Sequence, residues 1–374
     1  MGIYVGVGGV AHKVKKAYIG VSGAARKIKK GYVGVGGAAR LMFSGAPEKV
    51  ASVTPLSLEK IGLKVAYTGN YVVMANGNNV SGYHHRPVEV YDTSLTKIAA
   101  TDLGSDREGM APANIGGYAC FVGGIWRDTN TNFGSMIRYD ASLVRSSASV
   151  GLALSSANLA VARNTNYTFF LGGTQYNDTY RRTVTAMSDA FAATSLSNLF
   201  NDMTAGTVSA LSTAAYAVFA TAAIAYDNAR VQVAFSGITT SGSSATGALL
   251  KNYILFAGGS PTGGGVTNEI AVYDLNLTRV GTATLANAAQ RTMAVSRDDY
   301  CIIAGGYVTT FATAFSTVAG IDTFLVRDDL QNLSTGRFSA ACFNIGDYAG
   351  FAGGYATIAG GGYGVVNVVE AYRF

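Results

Sequence analysis

The stretch Tyr253-Ile254-Leu255-Phe256-Ala257-Gly258-Gly259 decides the fold. Its first five residues lack the apolar–polar alternation of a half-wet strand, so this strand needs cover on both faces. The glycine pair lets the chain turn sharply where side chains would clash near a crowded axis. Seven tyrosines open such stretches: Tyr71, Tyr118, Tyr167, Tyr216, Tyr253, Tyr300 and Tyr348, spaced 47, 49, 49, 37, 47 and 48 residues apart. Five of the stretches run into glycine pairs, namely Gly123-Gly124, Gly172-Gly173, Gly258-Gly259, Gly305-Gly306 and Gly353-Gly354. Asn76-Gly77 holds the place in the first copy, and Thr221-Ala222 in the short fourth copy.

Val90-Tyr91-Asp92, Arg138-Tyr139-Asp140 and Val272-Tyr273-Asp274 read as the ends of third strands before polar turns, with Ala371-Tyr372-Arg373 in the last copy. A fourth strand is expected next, for example over Leu95 to Leu103. A period of about 40–50 residues suits four strands per propeller blade. Residues 48–56 (EKVASVTPL) precede the first complete copy and look like the other fourth strands. They are expected to close the ring on the last copy, removing exposed edges. The fold class is therefore all-β: a seven-bladed β-propeller over residues 46–374, closed by a strand at 48–56.

Apolar strand, Gly-Gly and Tyr-bearing strand together resemble the kelch family, over roughly residues 48–374. The tryptophan usual late in each kelch repeat is absent, since Trp126 is the single tryptophan.

Residues 1–45 are different. They hold three copies of one unit, IYVGVGGVAHKVKK, AYIGVSGAARKIKK and GYVGVGGAARLMFS, with Tyr4, Tyr18 and Tyr32 at a period of 14. Lys13-Val14-Lys15-Lys16 alternates as a strand with one wet face does, and the whole reads as a small β-meander with a lysine-rich face. Tyr4, Lys13, Lys15, Tyr18, Arg26, Lys27, Lys29, Tyr32 and Arg40 are its candidate attachment residues. The match of Gly6-Val7-Gly8-Gly9-Val10-Ala11 to a dinucleotide fingerprint is a decoy. The unit is too short for a βαβ element, and no acid precedes Glu48. A solvated face, docking onto an acidic partner protein, and binding to nucleic acid or an anionic surface all remain readings of the stripe.

This segment resembles those at the N-termini of tail and baseplate-associated proteins of phages and prophages of Gram-positive bacteria. The resemblance implies anchoring to a particle.

Composition agrees with a β protein: 47 Gly, 22 Tyr and 17 Phe against 13% charged residues. The net charge of +6 belongs to the arm, whose eight bases and no acids leave 20 bases against 22 acids elsewhere. Cys120, Cys301 and Cys342 lie in apolar runs and read as buried thiols. No signal peptide is visible. The longest nearly apolar run, Ala214 to Tyr226, is shorter than the roughly 20 residues a membrane helix needs. No membrane insertion is expected.

Enzymatic constellations are thin. His12, His84 and His85 are the only histidines. The kelch resemblance would allow a copper oxidase, but no matching set of tyrosine, histidine and cysteine loops stands out. Sialidase boxes and G-x-S-x-G are absent. Glu108, Asp128, Asp178, Glu269 and Asp322 lie near expected turns and form no assignable pair. No catalytic residue, metal or cofactor is expected.

Binding is expected on the loops after the second strands, which gather at one end of the ring. Asn78 to Pro87 carries Tyr83, His84, His85 and Arg86; Ile125 to Gly134 carries Trp126, Arg127 and Asp128. Thr174 to Arg182 carries Gln175, Tyr176 and Asp178, and Tyr307 to Gly320 carries Phe311. Aromatic rings beside polar groups suit saccharide or protein recognition. Ordinary polar loops with packed aromatics are the competing reading.

The expectation is a tail-fibre or receptor-binding component of a phage tail or phage-tail-like particle. It would be made in the bacterial cytoplasm and be extracellular after release. The arm would contact baseplate or tail proteins as a homo-oligomer, and the propeller would contact a host surface glycan or protein. A structural decoration protein and a propeller enzyme acting on surface polysaccharide are the alternatives.

Overall fold

The structure is a computed structural model. In the first 45 residues it describes the backbone of strands at 4–7, 10–13, 17–21, 24–28, 30–35 and 38–44. From residue 46 on it describes all but 80–85, 127–128, 130, 150–156, 175–182, 197–209, 220–223, 235–243, 262–263, 298, 309–312 and 359–361.

Every regular element among the described residues is a β strand. Seven four-stranded antiparallel sheets follow one another along the chain. In the first six, strand order within the sheet is chain order. The tyrosine-led stretches are the second strands: Tyr71–Ala75, Tyr118–Val122, Tyr167–Leu171, Ala217–Phe219, Tyr253–Ala257, Tyr300–Ala304 and Tyr348–Ala352. Past the leading tyrosine, every residue in them is buried.

That burial comes from neighbouring sheets. Phe121 and Tyr139 of the second sheet pack with Val73 and Val90 of the first. Met74 and Tyr91 of the first pack with Phe343 and Ala371 of the seventh. The succession thus returns on itself in a propeller-like arrangement. First strands lie side by side around it, with Lys64–Thr68 against both Ala111–Ile115 and Ala341–Ile345. Fourth strands such as Arg145–Ser149 and Ala193–Leu196 are mostly exposed and face outward. Each large apolar side chain buried between sheets contributes about 1.5–3 kcal/mol.

The fourth strand of the seventh sheet comes from the other end of the body. Glu48–Lys49 pairs with Val369–Arg373, Lys49 opposite Tyr372 and Glu48 opposite Arg373. Val50 N donates to Ala371 O at 2.8 Å. The ladder stops there, so the strand expected over 48–56 spans only Glu48–Lys49. Residues 51–56 are the linker into the first sheet, held where Leu56 N donates to Asn367 O at 2.9 Å. The strand expected over Leu95 to Leu103 is likewise only Lys97–Ile98, because Leu103 belongs to a linker.

The fourth sheet is complete, with four strands of three residues each. Thr221-Ala222 lies outside the described residues. Only residues 220–223 separate the second strand from the third, which accounts for the short spacing of 37.

The glycine pairs have a physical reason other than an axial turn. All five repeat one conformation, φ near +65° then near +100°, as at Gly305 (63°) and Gly306 (97°). Gly306 N donates to Arg337 O at 3.0 Å, at the entry of the next sheet. A Cβ on Gly305 would lie 2.1 Å from that carbonyl oxygen. The same donation runs from Gly259 to Ala289 and from Gly354 to Lys60. At these three places the pair ties the end of a second strand to the linker entering the next sheet.

The third-to-fourth turns are equally regular. Asp92 Oδ1 accepts from Ser94 N at 2.8 Å and Thr96 N at 2.9 Å, and Leu95 between them has φ of 63°. Asp140, Asp227, Asp274 and Asp322 repeat this. An Asx turn followed by a left-handed residue closes these five hairpins.

In the arm, each repeat is a separate two-stranded hairpin: Tyr4–Val7 with Val10–Lys13, Ala17–Val21 with Ala24–Ile28, and Lys30–Val35 with Ala38–Ser44. Two residues lie between the innermost partners of each, as at Val21 and Ala24. No ladder joining one hairpin to the next occurs among the described residues. Lys13 stands opposite Tyr4 and Lys27 opposite Tyr18, while a bulge sets Leu41 opposite Tyr32. Arg26 and Arg40 also lie on these strands, whereas Lys15 and Lys29 lie outside the described residues.

Candidate functional site

The second-to-third connections and the outgoing linkers share one end of each sheet and are stitched together. Leu103 N donates to Arg86 O, Leu285 N to Asn268 O, Leu333 N to Ser316 O and Leu56 N to Asn367 O. Each acceptor lies at the end of a second-to-third connection, and each donor in the linker to the following sheet. The described residues Arg86 and Ser316 of two expected binding loops therefore lie beside these linkers.

Two of the eleven candidate face residues lie within the described structure. Arg86 is half exposed, but its fork is occupied: Nε donates to Asp106 Oδ1 at 2.7 Å and Nη2 to Asp106 Oδ2 at 2.6 Å. This bidentate pair ties the first sheet's loop to the linker that enters the second sheet. Trp126 is half-buried on a small hairpin, Ile125–Trp126 with Thr131–Asn132, which replaces the plain loop expected from 125 to 134. Its Nε1 is enclosed and has no acceptor among the described residues. Tyr83, His84, His85, Arg127, Asp128, Gln175, Tyr176, Asp178 and Phe311 lie outside the described residues. The last expected loop ends earlier than Gly320, because Val318–Asp322 is a third strand.

At the same end the structure reveals charge clusters that the loop reading missed. In the first sheet, Glu89 is 1% exposed and meets Lys60 Nζ at 3.2 Å and Lys97 Nζ at 2.8 Å. Ser57 N donates to it at 3.0 Å. The seventh sheet repeats the pattern: Glu370 meets Arg337 Nη2 at 2.8 Å and Lys49 Nζ at 2.5 Å, and Ser334 N donates at 2.8 Å. Burial alone would raise the Glu89 carboxyl. The Lys97 hydrogen bond and the charges of Lys60 and Lys97 outweigh it and hold the group below its ordinary value. Lys60 is lowered because burial outweighs its attraction to Glu89. The legible signal was Leu56-x-x-x-Lys60 recurring as Leu333-x-x-x-Arg337 and Leu103-x-x-x-Arg107.

No group of three or more metal-ligating side chains occurs among the described residues. No helix there is long and apolar enough to cross a membrane.

No protein-family model matches the chain, and no curated protein matches it. Among solved structures it is similar to the protein YjhT, with a TM-score of 0.54 at 12% identity over 85% of this chain and 95% of that one. At that identity the likeness speaks for the fold alone.

Proposed function

We propose that the body is a seven-bladed propeller of the kelch type, and that the chain is a component of a phage tail or phage-tail-like particle. In this reading residues 1–45 anchor to baseplate or tail proteins, as a homo-oligomer. Residues 46–374 recognise a host surface glycan or protein without catalysis. The protein acts outside the cell after release.

The observation that carries the reading is a division of charge and architecture. A chain of basic hairpins precedes a near-neutral ring of sheets whose connecting loops gather at one end. Seven sheets packed in succession, with glycine pairs bonded to the linkers that enter the next sheet, support the blade count. Loops on a rigid scaffold are where recognition residues commonly sit, and fold alone does not name a ligand.

The test is binding of the labelled full chain to intact cells and wall fragments of Gram-positive strains. Saturable, strain-selective binding is expected, reduced by the combined substitutions Arg86→Ala, Trp126→Ala and Tyr176→Ala. Absence of binding to every susceptible strain would overturn the recognition role. Full binding by the triple variant would overturn the choice of face.

A further inference from the structure

The second sheet breaks a charge pattern shared by the first, fifth, sixth and seventh sheets. On fourth strands, Lys97 lies opposite Tyr91, Arg279 opposite Tyr273, Arg327 opposite Ile321 and Lys49 opposite Tyr372. Each of these four cations meets a carboxylate: Glu89, Glu269, Asp329 and Glu370 respectively. Arg145 holds the same register position opposite Tyr139, is exposed, and meets no carboxylate among the described residues.

The inner cation is present too. Arg107 stands four residues before its first strand, as Lys60 and Arg337 do, and is 8% exposed. Its Nη1 donates to Ser135 O at 3.4 Å, as Lys60 Nζ donates to Pro87 O at 2.7 Å. In the first sheet, the residue two past that carbonyl is Glu89. In the second sheet it is Ile137. The second sheet therefore keeps both cations of the cluster and lacks its anion.

The vacated region is open. A cavity of about 290 Å³ is lined by Ser105, Arg107, Ile137, Arg145, Ser146 and Ser147. Burial lowers the Arg107 guanidinium to about 10, with no carboxylate offsetting it. A buried cation without a counter-ion is costly, and an incoming anion relieves that cost. Ser105 Oγ accepts from Arg107 Nε and keeps a proton to donate to a ligand oxygen, and Ser147, opposite Ile137, lies on the same face of the sheet as Arg145. The size suits one small molecule at the lower end of known sites, roughly 300 Å³.

We propose that this cavity binds an acidic saccharide of the uronate class, its carboxylate taking the place between Arg107 and Arg145 that Glu89 takes between Lys60 and Lys97. The serine hydroxyls receive the sugar's oxygens. This goes beyond cell-surface recognition: a small-ligand titration can fail while whole-cell binding holds, and the reverse.

The test is calorimetric titration of the full chain with glucuronate, glucose, acetate and inorganic phosphate. Saturable glucuronate binding is expected, with glucose and acetate each at least about tenfold weaker. Losing one charge-assisted hydrogen bond corresponds to roughly 10–100-fold, the weakening expected of Arg145→Gln. Ile137→Glu, which supplies the carboxylate from the chain itself, is expected to abolish binding. If that variant fails to fold, Arg145→Gln, at an exposed side chain, decides alone. No saturable glucuronate binding, equal binding of glucose, tighter binding of phosphate, or unchanged affinity in Arg145→Gln each overturns the proposal.

Discussion

Lys49 lies directly opposite Tyr372 in the outer ladder of the seventh sheet, so the start of the body is the final strand of its last sheet. The lysine also reaches inward, with Nζ 2.5 Å from Glu370 and 2.7 Å from Asn332 O. The Tyr372 hydroxyl donates to Gln331 O, one residue from that lysine contact. One short strand thereby joins the third strand of the seventh sheet to the linker arriving from the sixth.

Removing that strand is expected to cost far more than its length suggests. A chain starting at residue 46 should unfold in one transition close to that of the full chain. A chain starting at residue 51 loses the Lys49–Glu370 pair and the ladder beside Val369–Arg373. Glu370 keeps Arg337 as its counter-ion, so losing the Lys49 charge-assisted hydrogen bond costs about 1.5–3 kcal/mol, beside the lost ladder. Thermal unfolding by circular dichroism checks this, and equal midpoints for the two chains would contradict it.

The glycine pairs predict a sharp contrast between two Gly→Ala changes. At Gly305 an added Cβ meets the Arg337 carbonyl oxygen at 2.1 Å, with φ at 63°. Gly281, on an outer strand, offers a Cβ nothing closer than 4.0 Å. Gly305→Ala should destabilise by at least about 1–3 kcal/mol from backbone strain, and more from the clash. Gly281→Ala should change stability by less than about 1 kcal/mol. Urea titrations of both variants test the contrast, which disappears if the two midpoints shift alike.

Much of this architecture was legible because its physics is local. A fully apolar five-residue run ending in Gly-Gly has few places to sit, and Tyr253 to Gly259 sits where such a run must. The aspartates after third-strand tyrosines were visible too, since an Asx turn needs only its own backbone. The buried clusters were missed, because Lys60, Glu89 and Lys97 converge only through strand register. Reading the Leu-x-x-x-Lys/Arg recurrence against the third strands would have exposed both the Glu89 cluster and the missing acid at Ile137.

The three cysteines should be silent in the native protein. Cys120 and Cys301 are buried and Cys342 is half-buried. Burial pushes all three thiols up to about 12. The thiolate is the reactive form, so at pH 8 almost none is present. Maleimide or aromatic disulfide reagents should label none rapidly in buffer and all three in denaturant. Rapid native labelling of Cys120 or Cys301 would contradict the packing, whereas slow labelling confined to Cys342 fits its partial exposure.

Glu89 makes stability depend on pH in a stated direction. Its folded carboxyl sits below its ordinary value, about 4.3 for an unfolded glutamate. A depressed acid contributes stability that is fully present above the unfolded value. That stability is lost as pH falls through the folded one. With Lys60 wholly buried beside it, Glu89→Gln should cost about 3–5 kcal/mol near pH 7 by leaving that cation uncompensated. The gap between wild type and variant should stay constant from pH 7 to about 5, then shrink as pH drops below about 4. Denaturant midpoints measured between pH 7 and 2.5 decide it, and parallel curves for the two proteins across that range would mean that Glu89 carries no such linkage.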